Sequence, residues 1–259
     1  MERWFLIVST VFFFLGFAYS MFALGAGVAR PSRWSFAIML AGFVLQTGFL
    51  HLRGQAVGRC PVTNLFEVLI FLSWAVVLLY FAVGGAYRLS LLGTFTAPLV
   101  FMLQTVAQLL PAANAEPVYK KSAGMWPELH AAVSLVAYGA FALACVAGVM
   151  YLVQERLLKR HRLNSFYENL PPIAELAVAL HRVILVGFVL LSLGLVAGFF
   201  AGHTAAATIF LAVAVWLPYA ALLFLRTLHR VSPRRIAWLS VGAFVLALAA
   251  LGALGFFHL

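Results

Sequence analysis

Apolar residues in this chain come in long runs separated by short polar connections, rather than alternating as in a half-buried strand. Eight runs predict helices at about 5–26, 34–52, 63–84, 89–111, 128–153, 176–201, 206–227 and 235–257. Each approaches the roughly 20 residues that cross a hydrocarbon core about 30 Å thick. The expected fold is all-α, a polytopic membrane helix bundle forming a single integral membrane domain over residues 1–259. Arg3 and the small residues from Ala23 to Ala29 flank the first run as in a secretory signal. Its apolar core exceeds the roughly 7–15 residues of a signal's hydrophobic region, so a retained helix is expected.

Composition agrees with this pattern. Of 259 residues, 65% are hydrophobic and 9% charged, against roughly a quarter charged in soluble domains. The acids are Glu2, Glu67, Glu116, Glu128, Glu155, Glu168 and Glu175, with no aspartate, which excludes every mechanism that needs one. The net charge of +10 fits loops held on the cytoplasmic side better than a nucleic-acid partner. Arg3, Arg53, Arg59, Lys120 and Lys121 fall on the side of the termini. Arg30, Arg33, Arg88, Arg156, Lys159, Arg160, Arg162, Arg226, Arg230, Arg234 and Arg235 fall on the other. The excess of basic residues marks the second side as cytoplasmic, so both termini are expected outside.

This topology sorts the histidines into two levels. His51, His130, His203 and His258 are expected at the outer face, and His181 and His229 at the inner face beside the basic loop that holds His161. Imidazoles on facing helices can ligate haem iron axially. A lone interfacial histidine is also satisfied by water or headgroups, and the outer four stand out from that background more than the inner pair. Glu67 lies one turn into the third helix, where it can cap and complement the helix dipole or meet Arg53, Arg59 or a cationic ligand group. Arg182 reads as snorkelling inward, with a haem propionate as an alternative partner. The six tryptophans read as belt or packing residues. Cys60 and Cys145 form no CxxC or CxxCH, so the chain has no motif for attaching haem covalently to itself, and Cys60 has no evident thiolate-stabilising context. Nor does any GxGxxG, P-loop, HExxH or nucleophile-elbow pattern occur in a suitable context.

Several stretches together resemble one family. Pro61-Val62-Thr63-Asn64-Leu65-Phe66-Glu67 followed by Phe71-Leu72-Ser73-Trp74 resembles the P-x-[ST]-N-L-[YF]-E…FL-[SA]-W segment of the cytochrome c assembly family, which includes CcsA and HemX-like membrane proteins. Trp126-Pro127-Glu128-Leu129-His130 with Ser134 and Tyr138 is similar to that family's W…H-V-S-L…Y helix entry, and Met150-Tyr151-Leu152-Val153-Gln154-Glu155 to its MYLLQE exit. His181-Arg182 through Gly187-Phe188 and Leu193-Gly194 resembles YR-x₄-GF-x₄-LG, with His181 in place of tyrosine.

The resemblance implies a haem-handling membrane protein in cytochrome c biogenesis, in the cytoplasmic membrane of a bacterium. Non-covalent haem b would be held at the outer face by His130 and His258, which match the family's haem-ligand positions. His229 resembles the histidine closing the helix after the outer loop, and His51 the LLH ending of the second helix. Lyase-type members carry WGxYWxWDxKE between helices six and seven, where this chain reads Phe199-Phe200-Ala201-Gly202-His203-Thr204-Ala205. The haem-presenting motif is missing, which argues against a haem lyase and for a non-enzymatic, HemX-like branch. The partners implied are haem, cytochrome c assembly factors, or the glutamyl-tRNA reductase of tetrapyrrole synthesis, whose level HemX-like members are associated with. A bis-histidine transmembrane electron carrier, with His181 and His229 holding an inner haem, is a third reading.

Overall fold

The computed structural model describes residues 2–25, 33–87, 92–113, 115–159, 172–202, 206–228 and 231–257. Among them are eight α-helices and no strand: α1 (Glu2–Gly25), α2 (Arg33–Val57), α3 (Leu65–Tyr87), α4 (Leu92–Leu109), α5 (Met125–Lys159), α6 (Ile173–Phe200), α7 (Ala206–Thr227) and α8 (Pro233–Phe257). All eight predicted runs are helical. The largest differences in extent are at α5, which continues to Lys159 through the basic segment, and α2, which continues to Val57; α4 is shorter than its run. Seven helices are long and apolar enough to cross a membrane. The 18-residue α4, about 27 Å long at 1.5 Å per residue, is the shorter one.

Connections show that α4 nonetheless runs from one face to the other. It follows α3, and the segment after it returns to the end of α2, where the Lys120 amide donates to the Val57 carbonyl at 2.8 Å. The chain packs as two four-helix groups. In one, α1 lies against α2 and α4, and α3 against α4 and α2. In the other, α5 lies against α6 and α8, and α7 against both of those, with α3 packed on α5 to join the groups. Helix α5 is buried on nearly every side between Leu135 and Met150, the signature of a central helix rather than an amphipathic one.

Several polar side chains inside the first group find one another. Gln46 of α2 donates to the Ile70 carbonyl (2.9 Å) and to Ser73 Oγ (2.6 Å) of α3. Thr10 of α1 donates to Gln104 Oε1 of α4 at 2.7 Å. In hydrocarbon such groups have no water to turn to, so their pairing specifies which helices are neighbours.

At the face where α1 begins and α2 ends, an ion triad closes this group. Arg53 Nε donates to Glu67 Oε1 at 2.8 Å and its Nη1 to Glu2 Oε1 at 2.8 Å. The Arg53 and Glu67 side chains are only 3% and 1% exposed. Removing one member leaves an uncompensated buried charge, whereas replacing the whole set with apolar residues removes the charges together. Arg53→Ala is therefore expected to lower stability by roughly 3–5 kcal/mol in detergent unfolding, while the Glu2→Leu/Arg53→Met/Glu67→Leu triple variant stays near wild type. Equal losses in both would contradict this reading.

Candidate functional site

The start of α3, the start of α5 and the end of α6 meet on the face that also carries the ion triad. The entry to α3 is fixed locally. Asn64 Oδ1 accepts from the Glu67 amide (2.9 Å), and Glu67 Oε2 accepts from both the amide and the hydroxyl of Thr63, each at 2.8 Å. This is a capping arrangement in which the N-terminal side chains and the first-turn carboxylate satisfy one another's backbone donors. With Arg53 on its other oxygen, Glu67 combines the cap and the ion pair that the sequence offered as alternatives.

His130 lies in the second turn of α5. Its Nδ1 is 2.7 Å from the Gly194 carbonyl of α6. A carbonyl only accepts, so Nδ1 carries the proton, and in the neutral form of the ring this is the tautomer that suits a metal ligand through Nε2. Two α6 glycines make the approach possible. A Cβ on Gly194 would come within 2.5 Å of Ser134 Oγ, and one on Gly198 within 2.7 Å of His130 Nδ1. Trp126 and Phe200 close this end with ring centroids 4.9 Å apart.

A cavity of about 200 Å³ opens beside the imidazole, walled by Val62 and Val68 of the α3 entry, Ser134 and Tyr138 of α5, Leu191 of α6 and Leu251 of α8. Ser134 Oγ is buried there with no hydrogen-bond partner among the described residues, a group that a ligand or water would satisfy. A second hollow of about 230 Å³, lined by Arg59, Cys60, Thr63 and Glu128, shares Val62 and Ala131 with the first. Burial, with smaller contributions from the Glu128 and Glu67 carboxylates, pushes the Cys60 thiol up from 9.0 to about 11.

The other candidates sit elsewhere. His51 is on the exposed side of α2, 3.2 Å from Gln55 Nε2, and lines neither hollow. His181 lies two turns inside α6 rather than at its start, about 20 Å along the helix from Gly194 at 1.5 Å per residue. Arg182 beside it is exposed. His203, His229 and His258 lie outside the described residues. Among the described residues no three His, Cys, Asp or Glu side chains cluster as a metal site. Sequence reading passed over Ser134 as a lining residue and Gly194 and Gly198 as its makers, although Gly194-Leu195-Val196-Ala197-Gly198 is a small-xxx-small pattern that marks close helix approach.

The family profile described as Cytochrome C assembly protein matches residues 62–256, which include the α3 entry, His130 and Gly194. The chain belongs to this family. Among its relatives, HemX of Brevibacillus brevis is 29% identical over 65% of the chain and 62% of its own length, so the match spans less than two thirds of that relative. HemX of Bacillus subtilis (strain 168) is 23% identical over 88% of the chain and 87% of its own length. The cytochrome c biogenesis protein CcsA of Guillardia theta is 25% identical over 93% and 86%.

Because the folded Cys60 holds its proton more tightly than an unfolded thiol, its contribution to stability is full below about pH 9 and disappears as pH rises toward 11. Iodoacetamide labelling of Cys60, followed by peptide mass spectrometry, is expected to become half-maximal near pH 11 in the folded protein and near pH 9 after denaturation. Coincident profiles would contradict the buried-thiol geometry.

Proposed function

We propose that this protein is a non-enzymatic, haem-handling factor of cytochrome c biogenesis, a single integral membrane domain in the bacterial cytoplasmic membrane with both termini outside. The observation that carries the proposal is His130, set in the wall of an apolar cavity with its Nδ1 proton committed to the Gly194 carbonyl. Membership of the family and similarity to proteins named CcsA and HemX support it.

The residues fit part of a haem. His130 offers an imidazole held through Nδ1 by Gly194, the walls are mostly aliphatic, and Ser134 supplies a buried polar atom. At about 200 Å³ the cavity is below the roughly 300–1,000 Å³ that encloses a drug-sized ligand. It would therefore take one edge of the macrocycle and leave the remainder against lipid. Non-covalent haem b would supply an iron centre for an imidazole to bind. His130 would bind and orient it, Gly194 would hold the imidazole tautomer, and Leu191, Val215 and Leu251 would exclude water. His258, which follows α8 directly in sequence, is our candidate for the second ligand; Leu251, a turn and a half before the end of that helix, already lines the cavity. The missing tryptophan-rich motif supports binding or transfer rather than covalent attachment.

Similarity to Bacillus subtilis HemX supports a second reading, regulation of glutamyl-tRNA reductase level through the basic inner segments. Under that reading, deleting the gene changes reductase abundance while cytochrome c maturation stays normal.

The purified protein, supplemented with haem, is expected to show a Soret band with low-spin bis-imidazole features. His130→Ala should lose those features while keeping its helical circular dichroism. A wild-type protein with no Soret band after supplementation would overturn the haem-binding reading.

A further inference from the structure

On the opposite face, α5 and α8 diverge around a groove of about 480 Å³ that shares no residue with the His130 cavity. Its deeper part is apolar, formed by Val149, Leu152 and Val153 of α5 and Trp238 and Val241 of α8. Its mouth is charged. Glu155 Oε1 accepts from Lys159 Nζ at 2.8 Å, and its Oε2 lies 3.3 Å from Arg234 Nε. Arg156 stands beside them, exposed. Among the described residues three cations surround a single carboxylate, an excess of two positive charges at the mouth.

We propose that this groove is a binding site for an anionic glycerophospholipid of the cytoplasmic leaflet. The headgroup phosphate would pair with Arg156 and Arg234, and one acyl chain would lie along Val149, Leu152 and Trp238. Depth supports the match. From Lys159 to Val149 the groove follows α5 for about 15 Å at 1.5 Å per residue, from the polar boundary into the hydrocarbon. Trp238, 60% exposed beside it, is an amphipathic ring of the kind enriched at that boundary. Charge complementarity selects the lipid class, because basic residues at the inner leaflet favour anionic headgroups. Among the described residues no histidine, cysteine or methionine lines the groove. Its apolar floor is open to a lipid chain arriving laterally from the bilayer.

The test uses the full chain in nanodiscs containing either brominated phosphatidylglycerol or brominated phosphatidylcholine. The Trp238 signal is taken as the difference between the wild type and Trp238→Phe. Phosphatidylglycerol is expected to quench Trp238 at lower mole fraction than phosphatidylcholine. The Arg156→Gln/Arg234→Gln variant should weaken this preference by on the order of tenfold, while Arg156→Lys/Arg234→Lys, a folding control, keeps it. Equal quenching by the two lipids, or a preference that survives the double glutamine change, overturns the proposal. Displacement by millimolar glycerol 3-phosphate alone also overturns it, since the site would then bind a free phosphate rather than a lipid. A Trp238 signal quenched by neither lipid overturns it too, leaving a different occupant such as a protein segment.

Discussion

The close approach of α5 and α6 is the constraint on which the candidate site rests. In a bilayer the lipid chains are as apolar as the helix faces, so association depends on packing and interhelical hydrogen bonds rather than on escape from water. Gly194 and Gly198 remove the side chains that would strike Ser134 and His130. The exposed backbone then becomes a partner in its own right, because the Gly194 carbonyl accepts a hydrogen bond from His130 Nδ1–H. One contact thus sets the helix separation, the imidazole tautomer and the position of the cavity wall. Farther along the pair, Phe141 lies against Gly187 and stacks on Tyr219 of α7, which extends the same packing toward the other face.

The first four helices serve this site indirectly. Their ion triad and Thr63–Glu67 hydrogen bonds hold the entry to α3 in place, and that entry presents Val62 and Val68 to the cavity. The Pro61-to-Glu67 stretch, which carries much of the family resemblance, is therefore a positioning element. Both Glu67 oxygens are engaged by Arg53 and Thr63.

How much of this could be read from the chain follows from what each feature depends on. Apolar helices are set by local composition over some twenty residues, so all eight helical runs were legible. Neighbours were not legible, because pairings such as Gln46 with Ser73 or Thr10 with Gln104 join residues far apart in sequence that look like isolated polar substitutions in apolar runs. His51 shows the same limit. Two residues from buried Arg53 it falls on the other side of α2, and sequence alone gave its level in the membrane without its direction. Glu67 was legible both as a cap and as an ion-pair partner, but only the packing of α2 on α3 showed that it is both at once.

The central claim is that the His130 imidazole, presented through Nε2, holds haem at the face where α5 begins. The most direct measurement is pyridine haemochrome quantification of haem bound to His130→Gly, with and without exogenous imidazole, in protein shown by circular dichroism to be folded. The account predicts that haem content falls in the variant and that imidazole, entering the vacated cavity, restores it together with the low-spin spectrum. Haem content unchanged by the substitution, or lost and not restored by imidazole, would contradict it.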